Sequence, residues 1–292
     1  MRTRAPWVMV LAVGGSALMA ACSSSASTAG NGARASSTTT GPPPHELRVE
    51  AADFKFTLPA TVPSGVTDVV LHNQGDETHQ LDIVRMAPGK TKADLLGAVA
   101  KLDPTGVATL LGGPNEVAPG KRGRVTIDLR PGNYFAICLI PGADGVPHIL
   151  KGMMTPFTVT GSAEPRALPT ADRTVSLREF AFAGLETFDG TGTMLIKNDG
   201  TLLHELDVER LNDGKTVTDL VRWSNSPVFA PAPPQPSTAF GGTTLLSPGQ
   251  SVFIDFGSAR PSAGHYVALC FFPAFDNRSH AAHGMTYDFT VP

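Results

Sequence analysis

The strongest constraint on this chain is that it is written twice. Gly132-Asn133-Tyr134-Phe135-Ala136-Ile137-Cys138 is followed after nine residues by His148 and after four more by Met153; Gly264-His265-Tyr266-Val267-Ala268-Leu269-Cys270 is followed at the same two spacings by His280 and Met285. The correspondence extends upstream. Asp53-Phe54-Lys55-Phe56 answers Glu179-Phe180-Ala181-Phe182, and Val69-Val70-Leu71-His72-Asn73 answers Met194-Leu195-Ile196-Lys197-Asn198. His79-Gln80-Leu81-Asp82-Ile83 then answers His204-Glu205-Leu206-Asp207-Val208, with Asn and His six positions apart both times. Self-similarity on this scale means that one structural unit is built twice. Two equivalent domains are expected, 46–161 and 173–292, joined by a Pro-containing connector.

Local patterns say what that unit is. Period-two alternation places Phe54 and Phe56, and likewise Phe180 and Phe182, on one face of a first strand, where they read as core. Thr91 with Asp94, and Thr216 with Asp219, predict a capped short helix in each half, ending near Lys101 or Trp223. Gly112-Gly113 with Pro119-Gly120, and Gly241-Gly242 with Pro248-Gly249, read as turn signals before strands at Arg124–Leu129 and Ser251–Phe256. Met154–Thr160 and Thr286–Val291 close the two halves. Only 17% of residues are charged, while 30 glycines and 25 prolines supply turns. The expected fold is all-β: two tandem β-sandwiches of seven or eight strands, each with one inserted helix.

The repeated residues carry metal chemistry. A thiolate, an imidazole and a thioether gathered at strand ends are soft donors that suit copper, and type 1 copper takes two imidazoles and one thiolate with a weak axial thioether. Each half can supply that set. In the first, His79 comes from an internal strand end and Cys138, His148 and Met153 from the loop between the last two strands; in the second, the set is His204, Cys270, His280 and Met285. Met154 also adjoins the first set, but its counterpart is Thr286, so Met153 and Met285 are the better axial candidates. His283, aligned with Lys151, is either an exposed extra imidazole or an alternative ligand, while His72 and His265 read as surface residues.

At these residues both halves resemble cupredoxins, the plastocyanin and azurin fold, whose pattern runs Asn, His, then Gly-x-Tyr, Cys, His-x4-Met. The resemblance covers nearly all of the chain beyond its N-terminal segment. It implies a Greek-key β-sandwich, hydrogen bonds from Asn73 and Asn198 that brace the ligand loops, and one-electron transfer. The nine-residue Cys-to-His gap is longer than in plastocyanin or azurin and closer to the type 1 loop of copper nitrite reductases. Those enzymes and two-domain laccases resemble one another in using His-x-His or His-Cys-His pairs to build a second copper centre. Here Ile137 and Leu269 precede the cysteines, and none of the 8 histidines forms such a pair. An electron carrier is therefore expected rather than a multicopper oxidase or reductase, the alternative being copper capture, storage or delivery at the cell surface.

The ends and the charge set the context. Arg2 and Arg4, an apolar run from Ala5 to Ala21 and then Cys22 read as a secretory signal peptide of residues 1–21. Leu18-Met19-Ala20-Ala21-Cys22 resembles a bacterial lipobox, which makes Cys22 the lipidated residue and the membrane, on its extracytoplasmic face, the location. Residues 22–45 are Ser, Thr, Ala, Gly and Pro with almost no charge, a tether reaching about 25 Å. An extracytoplasmic chain could pair its two remaining cysteines in a disulfide, but each occupies the equivalent place in its own half. A net charge of -3 without any Lys/Arg run excludes a generally basic nucleic-acid binder but names no partner; the copper reading makes redox or copper-handling proteins the expected ones.

Overall fold

Alternating burial along short apolar stretches makes this chain overwhelmingly extended. The computed structural model describes residues 41–162, 165–226, 233–257 and 261–292; Cys22, the signal segment and nearly all of the tether lie outside them. In the first half the strands are β1 (His45–Ala52), β2 (Lys55–Thr57), β3 (Thr61–Pro63), β4 (Gly65–Asn73), β5 (Asp82–Met86), β6 (Ala108–Leu110), β7 (Arg122–Leu129), β8 (Gly132–Ile137) and β9 (Met154–Thr160). In the second they are β10 (Arg173–Arg178), β11 (Ala181–Ala183), β12 (Thr193–Asn198), β13 (His204–Leu211), β14 (Ser237–Leu246), β15 (Ser251–Asp255), β16 (Gly264–Leu269) and β17 (Thr286–Val291). The fold is all-β, with the two helices α1 (Lys92–Lys101) and α2 (Val217–Ser224) where the sequence predicts them. Thr91 and Thr216 cap these helices, each exchanging bonds with the Asp of the first turn in a complete capping box.

Each half is a two-sheet sandwich, and the halves share one of their sheets. One sheet runs β11-β10-β12-β15-β7-β4-β1-β2 through both halves, joined where Phe253 of β15 meets Thr126 of β7. The facing layer comprises β3-β9-β8-β5-β6 and β14-β13-β16-β17. These two are stitched by bridges from Leu111 to Leu246 and from Pro114 to Thr243. A single apolar cluster accordingly takes side chains from both halves, including Leu71, Tyr134 and Phe157 with Ile196, Tyr266 and Phe289. Both tyrosines of the repeated Gly-x-Tyr motif are 1% exposed and donate their hydroxyls to backbone carbonyls, of Arg130 and Ser262.

Two expectations need correcting. Gly112-Gly113 and Gly241-Gly242 are not turns but places where the backbone is pressed against the segment around Leu81 or Leu206 of the same half. A Cβ on Gly113 would stand 1.7 Å from the Leu81 carbonyl oxygen, and one on Gly242 2.1 Å from that of Leu206, so only glycine fits. Nor do the Phe pairs share a strand. The chain reverses at Asp53-Phe54 so that β2 pairs back on β1, and it reverses again at Glu179-Phe180 between β10 and β11. Phe56 enters the core while Phe54 and Phe180 remain half-buried. This reversal carries Asp53 and Phe54 to the candidate site.

Candidate metal centres

Strand ends bring the repeated residues together. In the first half, His79 lies between β4 and β5, held by a two-way backbone bridge to Val117 (3.1 and 2.8 Å). Cys138 directly follows β8, His148 opens a 3₁₀ turn at His148–Lys151, and Met153 directly precedes β9. The loop is closed on itself: the Cys138 amide donates to the Met153 carbonyl at 3.2 Å, that of Met153 to His148 at 3.0 Å and that of His148 to Ile140 at 2.9 Å. Asn73 ties the other loop down. Its Nδ2 donates to the carbonyls of Glu77 (2.8 Å) and Val117 (2.7 Å), while its Oδ1 accepts from the Gly75 amide at 2.9 Å. Asn198 repeats this in the second half with Leu202 (2.8 Å), Leu246 (2.7 Å) and Gly200 (3.0 Å).

The result is two near-identical donor triads. One donor atom each from His79, Cys138 and His148 lie within 4.8 Å of one another, and the same holds for His204, Cys270 and His280, all six residues being buried. In both triads the two Nδ1 atoms are 3.1 Å apart, and Sγ is 3.5 Å from the Nδ1 of the second His. Two nitrogens and one sulfur in each half thus lie close enough together to hold a single metal ion. Both cysteines are free thiols, so the pairing open to an extracytoplasmic chain is not made. Burial pushes the Cys138 thiol up to about 12 and that of Cys270 well above its ordinary value, and it lowers His204 and His280 to about 4. The imidazoles of His204 and His280 are therefore neutral at neutral pH, ready to donate lone pairs, while each thiol keeps its proton until a cation displaces it. Two imidazoles and a thiol in a buried pocket fit copper. Met153 and Met285 are fully buried beside the triads, in the same apolar cluster as Cys138 and Cys270.

Around the triads the halves differ. His79 Nε2 lies 2.8 Å from the Asp53 carboxylate and His148 Nε2 lies 3.1 Å from that of Glu77. In the second half Leu202 stands where Glu77 does, and Glu179, the counterpart of Asp53, accepts instead from the Thr201 amide and hydroxyl. His204 Nε2 is left buried without a partner. Sequence reasoning missed these carboxylates, although the acid before each first Phe and the Glu77/Leu202 mismatch were visible in the alignment of the halves. The Phe rings also reach the site: Phe54 meets His148 edge-on at 4.8 Å and Phe180 meets His280 at 5.1 Å.

His283 has a different task from the triad. Lys151 sits over the Phe54 ring at 4.3 Å and pairs with Asp144 at 2.8 Å. His283 packs on Phe180 at 4.9 Å and pairs with Asp276 at 3.1 Å, so it takes the place of that lysine. His265 is exposed and faces Asp288, while His72 is half-buried beside Glu50.

No protein-family model matches this chain, and no curated protein matches it. Among solved structures, it is similar to dithionite-reduced auracyanin from Roseiflexus castenholzii, at 17% identity over 41% of this chain and 99% of that one, with a TM-score of 0.31. Auracyanin A, a "blue" copper protein from Chloroflexus aurantiacus, matches at 15% identity over 40% and 99%, with a TM-score of 0.30. A multicopper oxidase matches at 17% identity over 85% of this chain and 88% of that one, with a TM-score of 0.23.

Proposed function

We propose that this chain is a two-centre cupredoxin that holds one type 1 copper in each half and passes single electrons, tethered through Cys22 to the extracytoplasmic face of a bacterial membrane. The observation that carries this reading is the doubled, buried His-Cys-His triad, with both Nδ1 atoms and the Sγ of each half turned toward one another. His79, Cys138 and His148 would hold the first metal and His204, Cys270 and His280 the second, with Met153 and Met285 as weak axial donors. The copper, when bound, supplies a one-electron couple. The protein's part is to prevent rearrangement between oxidation states. Asn73 and Asn198 clamp the upstream ligand loops, the Cys-to-Met loops close on their own backbone bonds, and the sheets fix the strand ends that carry them. Redox or copper-handling proteins are the expected partners.

Copper-loaded protein should show the intense visible band of a copper thiolate, and Cys138→Ser or Cys270→Ser should each remove half of it. A colourless copper-loaded protein would overturn the reading. Capture or delivery of copper is the second reading, favoured by the same soft donors. Ready transfer of Cu(I) to a competing chelator with slow redox cycling would select it. Turnover of dioxygen or nitrite by the loaded protein would instead make it an enzyme, which needs a copper centre beyond these two triads.

A further inference from the structure

The seam between the halves buries an acidic cluster that the copper centres do not use. β13 places Asp207 and Glu209 inward at alternate positions, 2% and 0% exposed. The loop after β6 brings Glu116 of the other half against them, so that one carboxylate oxygen from each of the three lies within 4.8 Å of the others. Asn115 Nδ2 donates to Asp207 at 2.6 Å and Gln235 Nε2 to Glu209 at 3.3 Å, but Glu209 Oε1 is buried with no partner. Among the described residues, no Lys or Arg forms an ion pair with any of the three. Three like charges this close in a low-dielectric seam repel strongly, and burial adds to the cost, so something positive must be shared among them.

The repeat shows that the fold does not require Glu116 or Glu209. Where the second half meets the first, the corresponding positions are Leu245, Asp82 and Val84, two of which lie in an apolar cluster. One seam thus holds a single carboxylate, Asp82, beside Val84 and Leu245, and the other holds three. The acidic seam is also approachable: Glu116 is half-buried, and Asn115, which touches Asp207, lines a cleft of about 560 Å³ between the halves. An all-oxygen donor set selects hard cations and offers nothing to copper that the sulfur and imidazole triads do not offer better.

We propose that Glu116, Asp207 and Glu209 bind one hard divalent cation, Ca²⁺ or Mn²⁺, which pins the loop after β6 in one half to β13 of the other. The cation is structural and independent of the copper reading. Burial and the neighbouring Glu116 hold the acids of Asp207 and Glu209 well above their usual range, so in the cation's absence protons take its place.

The test titrates the whole purified protein, freed of hard cations with EDTA, with Ca²⁺ by calorimetry and with Mn²⁺ by electron paramagnetic resonance at pH 7. One equivalent should bind, release protons and raise Tm by about 5–10 °C at a hundredfold excess over Kd. Whichever ion binds more tightly identifies the occupant. Glu116→Leu with Glu209→Val copies the other seam; it should lose the binding and be stable without the cation. Glu209→Gln serves the same purpose if that pair does not fold. Wild-type protein that takes up neither ion, with Tm unmoved, would show the acids to be simply protonated. Undiminished binding in the variants would place the ion elsewhere. Either result overturns the proposal.

Discussion

Replacing Glu77 by Leu would remove from the first centre one of the two carboxylate bonds that the second lacks. In the wild type, carboxylates hydrogen-bond the Nε2 atoms of both His79 and His148, at 2.8 and 3.1 Å, whereas His204 Nε2 has no partner. A carboxylate on the far nitrogen makes an imidazole a stronger donor, which favours the more highly charged Cu(II). Outer partners of this kind change metal affinity by about 10–100-fold. If that change falls on Cu(II) alone, a tenfold step corresponds to about 59 mV for one electron. Side-chain exposures of 33% for Glu77 and 28% for Asp53 let water screen both, so each bond is worth the lower end, about 60 mV. The first centre should therefore titrate about 100 mV below the second. Glu77→Leu should raise it by about 60 mV, and Leu202→Glu should lower the second. Spectroelectrochemical titration of the copper-loaded protein, with Cys270→Ser or Cys138→Ser to isolate each centre, reads these values. Two centres within about 20 mV of each other, or a first centre unmoved by Glu77→Leu, would refute the reasoning.

Asn73→Ala removes both bonds that hold the carbonyls of Glu77 and Val117. It should cost about 2–4 kcal/mol in denaturant melts and broaden the first centre's spectrum while leaving the second intact. Gly113→Ala should destabilise by about 3 kcal/mol or more, because its Cβ would meet the Leu81 carbonyl at 1.7 Å and force two packed segments of the first half apart. Metal-free protein should lose stability between pH 6.5 and 8. Glu205 is raised to about 8, first by burial, so the folded state holds a proton that the unfolded state has already released; its stabilisation is complete below its unfolded value and is lost as pH rises through about 8. Crossing that window costs about 1.5 kcal/mol from this group alone. His204 and His280, lowered to about 4, work in the opposite sense, but their contribution is fully present above about 6.5 and does not mask the loss. Urea midpoints at three pH values check this.

The duplication made much of this protein legible in one dimension. Ligand spacing in a strand-end loop is local, so Cys138, His148, Met153 and their counterparts could be read as a set, and the upstream His79 and His204 followed from their fixed distance to Asn73 and Asn198. The Thr caps of both helices are equally local, a side chain bonding an amide three residues on. What the tertiary structure decided is everything that depends on which distant segments meet. Gly112-Gly113 has the composition of a turn; only the Leu81 carbonyl of a neighbouring segment makes it a contact. Asp53 became a partner of His79 because the chain reverses at a point where alternation predicted a continuing strand. Glu116 is far from Asp207 and Glu209 in the chain, and no periodicity joins them. The sequence by itself determined two donor sets and an all-β frame, because both are written in short-range spacing. Tertiary structure decided that the frames share one sheet, that carboxylates surround one centre and not the other, and that three acids face one another across the seam.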